Sequence, residues 1–149
     1  MKNLFQPETF EEIKQRIEQL QPNSQRQWGK MEVAQMLAHC SATMEVAVGD
    51  KRPPRMFIGR ILGPFIKFAF TNDKPLRKNT PTDKSFLVID QRNFQKEKSK
   101  LIELITRFHS GGRENVTSHP HVFFGKLTPD QWSIGMYKHL DHHLRQFGV

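Results

Sequence analysis

Cysteine is almost missing from this chain. Cys40 is the only one in 149 residues, so an internal disulfide cannot form and a zinc site built on paired cysteines is excluded. A reducing cytoplasm is the expected compartment. The residues after Met1 contain no apolar run of secretory-signal length. The stretch Met56 to Phe70 is apolar but broken by Gly59, Arg60, Gly63, Pro64 and Lys67. It is too short and too interrupted to span a bilayer, and no membrane partner is expected. Repeats and low-complexity tracts are absent as well.

Acidic residues are scarce in one region. Between positions 51 and 80, eight basic residues (Lys51, Arg52, Arg55, Arg60, Lys67, Lys74, Arg77, Lys78) stand against the single acid Asp73, which accounts for +7 of the formal +8. The remainder is close to neutral. A solvated connecting loop is the plain explanation. A functional one is a rim, with Arg52, Arg55 and Arg60, that raises the encounter rate of an anionic small-molecule substrate. Interleaved Phe57, Phe65, Phe68 and Phe70 suggest a rival, a basic aromatic surface for nucleic acid. No recognised nucleic-acid motif accompanies them.

Four amphipathic segments organise the chain, which has the length of one domain spanning 1–149. Phe10, Ile13, Ile17 and Leu20 predict a helix over 10–20, with Thr9 and Glu12 as a capping box. A second helix is predicted from about Gly29 to Val48, where Gly49-Asp50 and Pro53-Pro54 stop it. The stretch 49–89 is irregular, with room for one or two short helices. A third long helix covers 90–109 before Gly111-Gly112. The last begins at Thr128, with Pro129 in its first turn and Gln131 completing a box, and ends before Gly148. The fold class expected is all-α: a four-helix bundle with a long crossover between helices two and three.

Three of the seven histidines, His139, His142 and His143, fall within five positions on the last helix. His139 and His143 are one turn apart and point the same way. They share a stripe with Trp132, Met136, Leu140, Leu144 and Phe147. His142 sits among Lys138 and Arg145, toward the polar flank. Neutral imidazole is the commonest metal ligand, so the inward pair calls for a third ligand from another helix. His39 is the only histidine inside predicted helix two. His109 adjoins a helix stop, and His119 and His121 flank a proline in a loop, which makes them weaker candidates. Leu140 occupies the place where a metalloprotease helix carries its glutamate, so that signature is absent. Cys40, next to His39, is rotated by about 100° from it on a helix and reads as a core thiol.

A mid-helix histidine at 39 and His139-x-x-x-His143 followed by Gln146 resemble the DinB-like (YfiT-like) superfamily of four-helix bundles. The ending Tyr137-Lys138-His139-Leu140-Asp141-His142-His143-Leu144-Arg145-Gln146-Phe147-Gly148 is similar to an uncharacterised branch of it. The resemblance covers essentially the whole chain, with the Trp28–His39 block less specific. It implies a divalent-metal site, zinc or nickel, on His39, His139 and His143. Gln146, His142 and Trp28 are the expected outer shell or pocket. Leu144 and Arg145 replace the Arg-Gly that follows the last histidine in the commoner ending. The implied activities are metal-dependent hydrolysis or transfer using a small-molecule thiol. The alternatives are a metal-stabilised interaction domain without turnover and a nucleic-acid-binding protein. A homodimer is left open.

Overall fold

Prolines and capping side chains decide where the helices begin. The computed structural model describes residues 1–80 and 83–149. Pro81 and Thr82, within the stretch expected to be irregular, lie outside the described residues. The described chain is all-helical, with five α-helices and two short 3₁₀ turns. One isolated bridge, His121 to Gly125, stands where a strand would need a ladder.

Helix α1 (Pro7–Gln19) starts before the position expected, because Pro7 fits the first turn, where an N–H would be unbonded anyway. The Thr9–Glu12 box does not form; the Thr9 hydroxyl donates instead to Gln6 Oε1 at 3.2 Å. Helix α2 (Val33–Ala47) starts later than expected. Gly29 has φ +80°, outside helical space, and the reciprocal cap is made by Glu32 and Gln35. Helix α3 (Phe57–Thr71) is a single helix carrying Pro64 in its interior, where one or two short pieces were expected. It is the fifth helix that the four-segment reading lacked.

Helix α4 (Phe94–Gly111) is capped by Asn93, whose side chain accepts from Lys96 N–H, and stopped by Gly112 at φ +62°. Helix α5 (Pro129–Gln146) begins with the Thr128–Gln131 box and Pro129 in place, as the spacing predicts.

α2 packs against both α4 and α5, and α1 lies against the same two helices. Ile13, Ile17, Leu37, Met44, Leu101, Ile105, Met136 and Leu140 are fully buried between them. Each contributes roughly 1.5–3 kcal/mol of burial. Arg16 ties α1 to the end of α5, donating to Asp141 Oδ1 at 2.8 Å and to the Val149 carbonyl at 2.9 Å.

α3 docks on α5 by a narrow face. Gly59 and Gly63 lie against the Phe123 backbone, and Phe70 lies over Gly135, with no space for a Cβ at any of the three glycines. Lys138 Nζ closes the end of α3, donating to the Ala69 carbonyl at 2.7 Å and to Asn72 Oδ1 at 2.9 Å. Because the obstruction at Gly63 is backbone, side-chain rotation cannot relieve it. Gly63→Ala is therefore expected to destabilise the fold by about 1–3 kcal/mol, read as a lower urea midpoint. An unchanged midpoint would show that α3 contributes nothing to the cooperative unit.

Candidate metal centre

Three histidines from two helices meet at the α2–α5 interface. His39 comes from mid-α2, and His139 and His143 from successive turns of α5. One ligand atom from each lies within 4.8 Å of the others. The ring centroids are 4.7 to 4.9 Å apart. His39 and His143 are buried, and His139 is half-buried as a residue although its imidazole is enclosed.

The outward nitrogens fix the tautomers. His39 Nδ1 lies 2.8 Å from the Phe86 carbonyl, which can only accept, so Nδ1 carries the proton. His143 Nδ1 is 2.8 Å from Gln146 Oε1. The orientation of that amide is set by its own nitrogen, which donates to the Trp28 carbonyl at 2.8 Å. Thr43 Oγ1 donates to the Cys40 carbonyl at 2.8 Å and so accepts from His139 Nδ1 at 3.3 Å. All three Nε2 atoms are thereby left as lone pairs. His39 Nε2 and His139 Nε2 face each other at 3.0 Å. Tetrahedral coordination with metal–nitrogen bonds of about 2.0–2.1 Å places ligand nitrogens about 3.3 Å apart. The donor set therefore fits a divalent ion, and the outer acceptors are of the kind that orient metal-binding imidazoles.

Electrostatics act in the same direction. Burial pushes His39 below its ordinary value, and pushes His143 down to about 3. His139 lies well below the ordinary value through burial and then the neighbouring imidazoles of His143 and His39. At neutral pH all three are uncharged, the form that binds metal.

The remaining residues singled out in the sequence are dispersed around this trio. His142 is half-buried, edge-on to His143 and to Trp28 at 5.1 and 5.7 Å, with its nitrogens outside the cluster. Lys78 lies over the Trp28 ring at 4.1 Å. Arg52 lines a cleft with Lys51, Ser85 and Phe86. Arg55 is half-buried under the start of α3, where it donates to the Gly59 carbonyl. Arg60 is exposed on α3. The three arginines do not line one pocket. The Cys40 thiol is buried and contacts Met36 Sδ rather than the histidines.

Two contributors escape sequence reasoning. The Phe86 carbonyl belongs to a 3₁₀ turn and leaves no side-chain signal. Thr43 did leave one: it lies one turn after His39, on the same face of α2. His121 also stands near the trio. Its Nδ1 accepts the Phe123 and Phe124 amides at 3.1 and 3.2 Å. Burial, with a smaller contribution from Arg55, holds its pKa down to about 4. With Thr43, Met136 and the unpartnered Trp132 Nε1–H it lines a cavity about the size of one water.

The model of a family described as "Protein of unknown function (DUF1569)" matches residues 3–148, and the chain belongs to that family. No curated protein and no solved structure matches it.

The depressed histidines make the metal-free fold sensitive to acid. Their folded pKa values lie below the unfolded value of about 6.5, so the unfolded chain takes up protons first. Stability is complete above about pH 6.5 and declines as pH falls toward about 4 for His121 and about 3 for His143. The melting temperature of metal-free protein should fall steadily below about pH 6. A melting temperature that rises over that range would contradict the assignment.

Proposed function

We propose that this member of the DUF1569 family holds one divalent metal ion through Nε2 of His39, His139 and His143, and uses it in hydrolysis or thiol transfer on a small molecule. The observation that carries this reading is the set of three lone pairs turned toward one another. Their outer nitrogens are already committed as donors. Without an ion the pair at 3.0 Å is satisfied only if His139 moves its proton to Nε2 and gives up donating to Thr43, and charging one ring would bury an unpaired cation. A cation accepts all three lone pairs and keeps every outer hydrogen bond.

Three neutral ligands leave an ion its full charge and an open position, and its chemistry there is Lewis-acid activation of water or of a substrate thiol. Zinc and nickel both suit imidazole. The likeness to DinB-like four-helix bundles supports the same ligands and a small-molecule thiol. In that reading α1, α2, α4 and α5 form the bundle and α3 belongs to the crossover. Gln146, Thr43 and the Phe86 carbonyl orient the ligands. Arg52, in the cleft that Phe86 also lines, favours an anionic substrate. The cytoplasm is the proposed setting.

A second reading is a metal-stabilised interaction domain without turnover. The burial of His39 and His143, 3% and 8% exposed, favours it, since a substrate would have to reach the ion.

Metal analysis and thermal shift with Zn²⁺ and Ni²⁺, on protein purified without an affinity tag, test the common premise. His143→Ala should abolish binding, whereas His142→Ala should leave it largely intact. Gln146→Leu, which removes the acceptor for His143, should weaken binding by roughly 10–100-fold. Absence of metal uptake would defeat both readings. Uptake without ester hydrolysis or thiol transfer would select the interaction domain.

A further inference from the structure

Helix α3 turns an apolar face outward. Phe65, Phe57 and Phe68 are 82%, 78% and 73% exposed, and Ile58, Ile61 and Leu62 are exposed beside them. At 100° per residue these six side chains occupy one contiguous arc of about 140°. The opposite side, Gly59, Gly63 and Phe70, is the side that docks on the protein. A Phe side chain carries roughly 150–250 Å² of surface, so the three phenylalanines alone present on the order of 400 Å². That already equals the largest apolar patch of an ordinary monomer, about 300–600 Å².

Positive charge borders one flank of the patch and the segments at its two ends. Arg60 and Lys67 lie seven residues apart and so share one flank of α3. Arg52, Lys74 and Arg77 lie on the segments entering and leaving it, and Asp73 is the only acid between 51 and 80. Among the described residues none of these five cations forms an ion pair, while eight other basic residues of the chain do; Lys67 alone is half-buried, with its Nζ held by the Lys126 carbonyl at 2.6 Å. An apolar arc flanked by unpaired cations is the pattern of a helix that lies in a bilayer interface. The expectation of no membrane partner rests on the stretch being too short to span; lying in the interface needs no spanning length, and no helix among the described residues is long and apolar enough to cross a membrane.

We propose that α3 is a peripheral docking face for an anionic lipid bilayer, with its phenylalanines in the acyl boundary and its cations at the headgroups. A second copy of the chain fits less well. A two-fold contact would bring the same patch against itself, placing two sets of uncompensated cations together. An anionic bilayer satisfies the apolar arc and the charge at once.

Co-sedimentation with vesicles tests the assignment, comparing phosphatidylcholine alone with an equimolar phosphatidylcholine–phosphatidylglycerol mixture. Binding is expected to the mixture only and to weaken with salt. Phe65→Ser/Phe68→Ser should remove it. Arg52→Gln/Arg60→Gln should weaken it by roughly fivefold per charge. These side chains are exposed, and an unchanged melting curve confirms that each variant is folded. Absence of binding to the mixture, or binding indifferent to Phe65→Ser/Phe68→Ser, would overturn the proposal. So would sedimentation velocity showing a wild-type dimer that Phe65→Ser/Phe68→Ser dissociates, since a second copy would then cover the face.

Discussion

The direction in which three imidazoles donate their protons governs the rest of this structure. Each Nδ1–H is committed outward, to the Phe86 carbonyl, to Thr43 and to Gln146. Those outward commitments force three lone pairs into a shared volume between α2 and α5. Rotating one acceptor would free a tautomer and dissolve the convergence. The outer partners are therefore as much a part of the centre as the rings.

Each outer partner is supplied by a different kind of structure. Thr43 comes from α2 itself. The Phe86 carbonyl comes from a 3₁₀ turn held by Asp83, whose side chain accepts from the Ser85 amide. Gln146 comes from the last turn of α5 and is clamped by the Trp28 carbonyl in the loop before α2. Gln27 N–H also donates to the Gln146 carbonyl at 2.7 Å. The residues before α2 and the end of α5 thus hold each other, and packing that looks remote from the histidines sets how they point.

Much of this was legible in the sequence, for reasons that differ by element. α5 was readable because cap, proline and apolar stripe agree, and a helix of that regularity fixes which histidines share a face. α1 and α2 were readable as helices but not at their starts, where Pro7, Gly29 and Glu32 outweighed the apolar spacing. α3 was not readable as one helix. Its interior proline and glycines argue against it locally, and only the close approach of Gly59 and Gly63 to the Phe123 backbone explains them. The basic rim was read as a unit from adjacency in sequence. The fold separates its members because α3 carries Arg60 away from Arg52 and encloses Arg55. Backbone acceptors such as that of Phe86 have no side-chain signature at all.

His39 and His143 are 104 positions apart. During synthesis, α2 emerges long before the helix that completes its centre. A nascent chain holding only His39 offers a single imidazole, which has little hold on any ion. An ion held by all three rings would therefore have to wait until α5 is made. Once in place, an ion would join two segments from opposite halves of the chain, acting as a clasp across the α2–α5 pair.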